Sequence, residues 1–224
     1  MDKYFLTLRV CPLFDSIADD DLCAILDCLG ASVRRYYKGQ TILSEGDPAD
    51  TLGIVLRGQV RVLRVDYYGN RSILATLEPA DIFGDTYAFA GVKTMPVDVV
   101  AASDCEAMLI PAHRISRTCR HACSFHAQVI YNLLHVIAAK NLMQSQKNEI
   151  TAQRTTRDKL MAYLMLEAKT RARSTFTIPY DRQELADYLA VDRSGLSSEI
   201  GKLRREGVID CHKNEFTLLT QPMQ

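Results

Sequence analysis

A short stretch near the C-terminus combines small polar and basic side chains with a regular apolar spacing. Residues 182–205 are predicted to form two short helices joined by a tight turn. An arginine at the start of the second helix can donate a bidentate pair of hydrogen bonds to guanine, and serines beside it can contact bases or phosphates. Basic residues at the end of that helix can neutralise phosphates. The predicted DNA-contacting residues are Arg193, Ser194, Ser197, Ser198, Lys202 and Arg204.

Apolar spacing predicts how these two helices pack together. Leu196, Ile200 and Leu203 fall at i, i+4 and i+7, which places them on one face of the second helix. Leu185 and Leu189 supply the apolar face of the first helix. The opposite face of the second helix is then free for DNA. The pattern indicates a helix-turn-helix, although a generic two-helix core has the same spacing.

Signals at the helix ends extend this prediction to a winged helix. Asp181 with Glu184 three residues later predicts a capping box, and Asp192 can cap the second helix. Gly207 stands where a left-handed C-terminal cap belongs. The other predicted elements are a helix from Thr155 to about Lys169, a strand at Thr175–Pro179 and a hairpin that turns at Lys213-Asn214. Helix, strand, helix, helix and hairpin is the order of a winged helix.

The N-terminal half has a β-rich pattern. Between about Lys38 and Ile110, short β-rich runs are separated by glycines. The run Val60–Val65 is predicted to be a half-buried strand that shifts face once, and Tyr68–Arg71 a hairpin turn. Many short strands with regular turns favour a compact barrel or roll. Apolar residues on one side of Asp19–Leu29 predict a short helix before it.

A long helix without glycine or proline is predicted over residues 125–150. Its apolar residues form two neighbouring stripes, one with Val129, Leu133, Val136 and Met143 and the other with Ile130, Leu134 and Ile137. A helix with so wide an apolar face must bury two sides. We expect one side to cover the roll and the other to meet a second copy of the chain, the alternative being an ordinary core helix.

Composition narrows the class of protein. The chain has 224 residues, 47% of them hydrophobic, and a formal net charge of zero, so overall charge gives no argument for nucleic-acid binding. It has no apolar run long enough for a membrane span and no signal-peptide pattern. Seven cysteines without a regular framework are typical of reduced thiols, so we expect a cytoplasmic protein. No acid–base pair, phosphate loop or nucleophile elbow indicates an enzyme.

Several segments together resemble the CRP/FNR family of bacterial transcription regulators. They are Tyr37–Asp47, Leu56–Val62 and Ile82–Asp85, followed by a long helix and a winged helix in the family's order. The resemblance implies an α+β protein: an N-terminal cyclic-nucleotide-binding-like β-roll at 1–120, a dimerisation helix at 121–150 and a C-terminal winged helix-turn-helix at 151–224. It also implies a homodimer that binds double-stranded DNA and contacts RNA polymerase under the control of a signal at the sensor domain.

The same resemblance places Arg193 at the family's base-reading arginine. Ser194 and Ser198 stand where many members carry Glu and Arg. The expected DNA target therefore differs from that of the best-known member. We predict a sequence-specific DNA-binding transcription regulator, with a regulatory module of another protein as the less favoured alternative.

The residues that hold a cyclic nucleotide in related proteins are changed in this chain. In members that bind one, an arginine pairs with the cyclic phosphate and a glutamate holds the ribose. This chain has Met95 where the arginine falls, with Lys93 as the nearby cation, and burying a phosphate without its guanidinium is costly. Cyclic AMP is therefore not expected to bind. We expect the pocket to hold another small molecule or nothing, and its predicted lining residues are Gly84, Asp85, Thr86, Lys93 and Met95.

A group of cysteines and histidines after the roll is the alternative sensor. Cys119 and Cys123 are four residues apart, a spacing that puts them on one face of a helix, and His126 follows three residues later. Two thiolates and an imidazole can bind zinc, a haem iron or an iron–sulfur cluster, and the thiols can form a redox pair. Incidental cysteines at a helix start would give the same spacing, so the cofactor is left unknown.

Overall fold

A computed structural model of the chain describes residues 2–65, 67, 71–117 and 124–219. The chain forms two units, Met1–Ala139 and Lys140–Gln224, and the division falls inside a long helix. Each unit has its own hydrophobic core. The division expected from the sequence, into residues 1–120, 121–150 and 151–224, stays a prediction.

The N-terminal unit is built from short strands and short helices. In chain order its elements are α1 (Phe5–Val10), α2 (Asp19–Cys28), β1 (Ser32–Tyr36), β2 (Thr41–Leu43), β3 (Thr51–Arg57), β4 (Val60–Val65), β5 (Arg71–Leu77), β6 (Ile82–Phe83), α3 (Asp85–Phe89), β7 (Asp98–Ala101), β8 (Cys105–Pro111) and α4 (Ala112–Ser116). The long helix α5 (Ser124–Thr151) follows. The C-terminal elements are α6 (Thr156–Arg171), β9 (Thr175–Thr177), α7 (Arg182–Leu189), α8 (Arg193–Arg205), β10 (Ile209–His212) and β11 (Glu215–Leu218).

Antiparallel pairing arranges the N-terminal strands into two four-stranded sheets. Their strand orders are β1-β8-β3-β6 and β2-β7-β4-β5. The pairing of β4 with β5 shifts register between Val62 and Leu63, which pair with Ala75 and Ile73, so the extra residue of this bulge is Leu74 of β5. The change of face expected within β4 stays a prediction, and Val62 and Leu63 are both half-buried. Residues 68–70 of the predicted hairpin turn lie outside the described residues.

One hydrophobic cluster joins these two sheets. Val55 and Phe83 come from the first sheet, Val60 and Val99 come from the second, and all four are buried in the same cluster. The exclusion of these apolar side chains from water stabilises the pair of sheets. The expected roll is therefore observed, and its core lies between the two sheets.

The predicted helix before the roll is confirmed as α2. Leu22, Ile25 and Leu26 on one side of this helix are buried, and Leu29 follows them into the same cluster. Three aspartates occupy its first turn, where negative charge interacts favourably with the helix dipole. The apolar spacing that predicted this helix is therefore the spacing of its buried side chains.

The predicted long helix is α5, and the residues of its two apolar stripes differ in exposure. Val129 and Leu133 are buried in the core of the N-terminal unit, and Val136 is half-buried there. Leu134 and Met143 are exposed, at 61% and 68%. Among the described helices, none combines the length and apolar character that crossing a bilayer requires.

The C-terminal unit has the order of elements expected of a winged helix. Strands β9, β10 and β11 form an antiparallel sheet in the order β10-β11-β9. Thr155 caps α6 by accepting the N–H of Asp158 at 3.1 Å. Gly207 follows α8 with a φ of 71°, as the C-cap prediction required. The predicted helix-turn-helix and hairpin are confirmed.

We expect Gly53→Ala to lower the free energy of unfolding by about 1–3 kcal/mol, which denaturant titration measures. Gly53 lies opposite Phe83 across β3 and β6, and a Cβ added at Gly53 would overlap the aromatic ring. The control is Gly201→Ala in α8, where nothing lies within 4 Å of the added Cβ. That change should raise stability by up to about 1 kcal/mol because alanine is the better helix former. Unchanged stability in Gly53→Ala contradicts the close packing.

Candidate nucleic-acid interface

Hydrogen bonds from side-chain caps define where α7 and α8 begin. Asp181 Oδ1 accepts the N–H of Glu184 at 2.8 Å, and Glu184 Oε2 accepts the N–H of Asp181 at 2.7 Å. This reciprocal pair is the capping box expected from the sequence. Ala190 ends α7 in the left-handed conformation, with a φ of 51°, and Asp192 then caps α8. Both helices therefore start at positions set by side-chain caps.

Helix α8 has one buried side and one exposed side. Leu196, Ile200 and Leu203 are buried in the C-terminal core together with Leu185 and Leu189 of α7, as their spacing predicts. The predicted base-facing residues are all exposed; they are Arg193, Ser194, Ser197 and Ser198. The packing of the apolar side therefore leaves the polar start of α8 accessible to a ligand.

The first turn of α8 presents both hydrogen-bond donors and acceptors. Asp192 Oδ2 accepts the N–H of Gly195 at 2.8 Å and the hydroxyl of Ser194 at 2.5 Å. These two bonds lower the pKa of the Asp192 carboxyl below its usual range, so the group stays ionised at neutral pH. Within the described part of the chain, the Arg193 guanidinium has no hydrogen-bond or ion-pair partner. Its donors are therefore available to a base.

The basic residues predicted to contact phosphates are exposed, and each forms one ion pair with a carboxylate. Lys202 Nζ lies 3.1 Å from Glu199 Oε2, and Arg204 Nε lies 3.2 Å from Asp210 Oδ1. Both basic side chains are 52% exposed, and ion pairs at such exposure stabilise a protein by roughly 0–1 kcal/mol. A DNA phosphate can therefore replace Glu199 beside Lys202, or Asp210 beside Arg204, at a small cost in protein stability.

Another ion pair links the first and last helices of the winged helix. Arg157 donates two hydrogen bonds to Glu206, with N···O distances of 3.1 and 2.5 Å. Arg157 lowers the pKa of the Glu206 carboxyl through this bidentate contact. Sequence reasoning missed the pair because its members stand 49 residues apart.

The hairpin turn is tied to the start of α7. Arg182 donates a hydrogen bond to the Lys213 carbonyl at 2.9 Å, and its guanidinium lies 5.5 Å from the centre of the Phe216 ring. A cavity of about 460 Å³ lies beside this contact, lined by Pro179, Tyr180, Asp181, Arg182, Glu184, Lys213 and Asn214. The contact holds the wing next to the helix-turn-helix.

Three tyrosines form a cluster that was also missed from the sequence. The ring centres of Tyr180 and Tyr188 are 5.0 Å apart, and those of Tyr163 and Tyr188 are 5.3 Å apart. Lys147 Nζ lies 5.1 Å from the centre of the Tyr188 ring. Burial raises the pKa of Tyr163, whose hydroxyl has no hydrogen-bond partner among the described residues. The cluster joins α5, α6 and α7 through aromatic and cation–π contacts.

The residues predicted to line an effector pocket differ in burial. Gly84, Asp85 and Met95 are buried, whereas Thr86 and Lys93 are exposed. Met95 is only 2% exposed and packs in the cluster between the two sheets. Its side chain therefore fills core volume at the position where the resemblance places an arginine.

The predicted metal ligands fall mainly on residues that the structure does not describe. Cys119 and Cys123 lie outside the described residues. His126 is buried; its Nε2 lies 2.7 Å from the Arg114 carbonyl, and its Nδ1 lies 3.8 Å from Cys28 Sγ. Within the described residues, no group of three potential ligands comes together. Ligation by either ring nitrogen of His126 would have to replace the contact that this nitrogen makes here.

The fold and the exposed start of α8 together define a winged-helix DNA-binding regulator with a β-roll unit. Residues 33–122 match the cyclic nucleotide-binding domain family, and residues 158–222 match the Crp-like helix-turn-helix domain family. The chain belongs to the CRP/FNR family of transcription regulators.

Curated relatives agree with this assignment. Transcriptional activator protein FnrL of Cereibacter sphaeroides is 26% identical over 205 residues, which cover 84% of this chain and 76% of the relative. Nitrogen fixation regulation protein FixK of Bradyrhizobium diazoefficiens is 24% identical over 219 residues, which cover 91% and 88%. These relatives are regulators, in agreement with the prediction that the chain is not an enzyme.

Solved structures show the same fold. The catabolite activator protein of Thermus thermophilus has a TM-score of 0.50 at 23% identity, covering 92% of this chain and 93% of its own. The c-di-GMP responsive global regulator CLP of Xanthomonas campestris has a TM-score of 0.57 at 20% identity, covering 91% and 100%. The combination of β-roll, long helix and winged helix is therefore shared across these proteins.

Proposed function

We propose that this regulator binds a specific double-stranded DNA sequence as a homodimer, under the control of a signal received by its N-terminal unit. The observation that carries the proposal is the exposed Arg193 at the start of α8, which has no hydrogen-bond or ion-pair partner among the described residues and belongs to a helix with one buried side. In helix-turn-helix docking, the N-terminal residues of the second helix contact base edges in the major groove. The proposed regulator acts in the cytoplasm, and RNA polymerase at promoters is its further proposed partner.

The proposed roles of the α8 residues follow from their chemistry. Arg193 can bond guanine through two donors, and Ser197 and Ser198 can contact bases or phosphates from the next turn. Lys202 and Arg204 lie at the other end of α8, where exchange of their ion pairs for phosphates would add affinity without sequence preference.

We expect selection from a random DNA pool to return a two-fold symmetric sequence. A dimer places two recognition helices on one face of the duplex, so the half-sites should lie about one helical turn apart. Sequencing of the enriched pool measures both the symmetry and the spacing. A pool without enrichment contradicts the proposal.

Arg193→Ala is the matched variant for that experiment. This substitution should make the free energy of binding to the selected site less favourable by about 1–3 kcal/mol, because a base-reading contact is lost. Binding to unrelated DNA should fall less, and Lys202→Ala is the control that should weaken both to a similar degree. An equal loss for both DNAs in Arg193→Ala contradicts base reading by this residue.

The proposed dimer contact is the exposed apolar side of α5. Tyr131 is 56% exposed and Leu134 is 61% exposed, and the two lie one helical turn apart. The ring centres of Tyr131 and His135 are 4.4 Å apart on the same helix. Neighbouring large apolar side chains at this exposure are typical of interaction surfaces. A second copy of α5 would bury them.

We expect Leu134→Asp to convert the dimer to a monomer at micromolar concentration, because a charge would then be buried in an apolar contact. Sedimentation velocity measures the change, and affinity for the selected DNA should fall about tenfold or more. The control is Leu6→Asp, another exposed leucine at 83% exposure on α1, which should remain dimeric. A dimeric Leu134→Asp protein would show that another surface joins the two copies.

The signal is proposed to differ from cyclic AMP. The buried Met95 carries no charge to pair with a cyclic phosphate, and the exposed Lys93 lies outside the core. Another small molecule near Gly84, Asp85 and Thr86 is the proposed effector. Burial of a diester phosphate without a matching cation would cost more than its hydrogen bonds return.

We expect calorimetry to detect no binding of cyclic AMP, and DNA affinity to be the same with and without the nucleotide. A family member that binds cyclic AMP, measured in parallel, provides the positive control. Binding at micromolar concentration contradicts the proposed role of Met95.

The second candidate signal is a metal or thiol reaction at Cys119, Cys123 and His126. The support from the described residues is limited to His126, which is buried at the start of α5. Metal analysis and an absorption spectrum of protein purified without oxygen distinguish the candidates. Bound metal or a coloured cofactor favours the cysteine group, and a colourless, metal-free protein favours the roll.

A further inference from the structure

The N-cap of α8 controls the hydroxyl of a neighbouring serine. Asp192 Oδ2 accepts the Gly195 N–H at 2.8 Å, which caps the helix, and it also accepts the Ser194 hydroxyl at 2.5 Å. A serine hydroxyl has one proton and two lone pairs. Because this proton is bonded to Asp192, the exposed Ser194 oxygen can offer only lone pairs to a further partner.

This constraint has a direct consequence for base recognition. Adenine and cytosine present an exocyclic amino donor in the major groove, whereas guanine and thymine present a carbonyl acceptor there. A freely rotating hydroxyl can bond either kind of base. We propose that Asp192 is a positioning residue that makes Ser194 an acceptor-only reader, so that α8 prefers adenine or cytosine at the position that Ser194 contacts. The inference rests on the proposed sequence-specific DNA binding.

Three observations favour persistence of the Asp192–Ser194 bond when DNA binds. An O–H···O⁻ bond of 2.5 Å is within the range of charge-assisted bonds, which are about twice as strong as neutral ones. The cap bond to Gly195 holds the carboxylate in place. Arg193, the cation next in sequence, makes no ion pair with Asp192 within the described structure. The carboxylate therefore keeps both of its partners on α8.

The test is parallel selection from a random DNA pool with the full-length wild type and three variants. Ser194→Ala removes the reading hydroxyl. Asp192→Gly removes the acceptor but retains much of the capping preference. Asp192→Asn is the matched control, because its amide oxygen can still accept the serine proton and the Gly195 N–H. Circular dichroism and binding to unrelated DNA report whether each variant is folded.

The wild type should enrich adenine or cytosine at a position where Ser194→Ala loses its base preference. Asp192→Asn should keep that preference, whereas Asp192→Gly should accept guanine and thymine there as well. The inference is overturned if the wild type selects guanine or thymine at that position. It is also overturned if no position responds to Ser194→Ala, or if Asp192→Gly keeps the wild-type preference. A wild-type pool without any enrichment instead contradicts the proposed function.

A second measurement decides the question if Asp192→Gly does not fold. The base at the responding position is replaced by its analogue without the exocyclic amino group. Wild-type affinity should fall about two- to tenfold, the effect of one hydrogen bond, and the affinity of Ser194→Ala should not change. Equal losses in the two proteins, or no loss in either, overturn the inference.

Discussion

The burial of one side of α8 is the constraint on which the candidate interface depends. Leu196, Ile200 and Leu203 pack in the C-terminal core, and α8 contacts α6, α7 and β10. Because a helix turns every 3.6 residues, the burial of these three leaves Ser194 and Ser198 on the other side, and Arg193 is exposed at the first residue of the helix. The same apolar contacts therefore stabilise the domain and determine which polar side chains can reach a ligand. Loss of packing there would change recognition without touching a DNA-facing residue.

Charge supports the proposed interface less than the exposure of the start of α8 does. The chain has no net charge, and Lys202 and Arg204 are each paired with a carboxylate. The carboxylate of Asp192 lies next to the reading residues and stays ionised, since its hydrogen bonds lower its pKa. A negative group at this place opposes approach to phosphates. The unfavourable charge would lower the affinity for every DNA sequence alike. Differences in affinity between sequences would then come from contacts with the bases.

Features that depend on neighbouring residues were predicted from the sequence. Contacts between distant segments were not. The capping box at Asp181, the cap at Asp192 and the left-handed Gly207 each depend on neighbours within a few residues, and the structure confirms them. The Arg157–Glu206 pair and the tyrosine cluster depend on tertiary packing, and no periodicity reveals them. The Ser194–Asp192 bond is local but depends on a side-chain rotamer, which residue spacing does not determine. The candidate site could therefore be placed from sequence, but its hydrogen bonds could not.

The turn at Gly84 shows why a family motif and a ligand must be argued separately. Gly84 has a φ of 74°, and a Cβ there would lie 2.5 Å from the Thr51 carbonyl. Glycine is thus required by the backbone whether or not a ligand binds. Met95 carries different information, because its buried side chain supplies packed apolar volume at the position where the resemblance places an arginine. The turn at Gly84 therefore belongs to the fold, whereas the uncharged Met95 supports the proposal that the signal differs from cyclic AMP. The fold and that proposal thus rest on different residues, and the same segment can keep the one without the other.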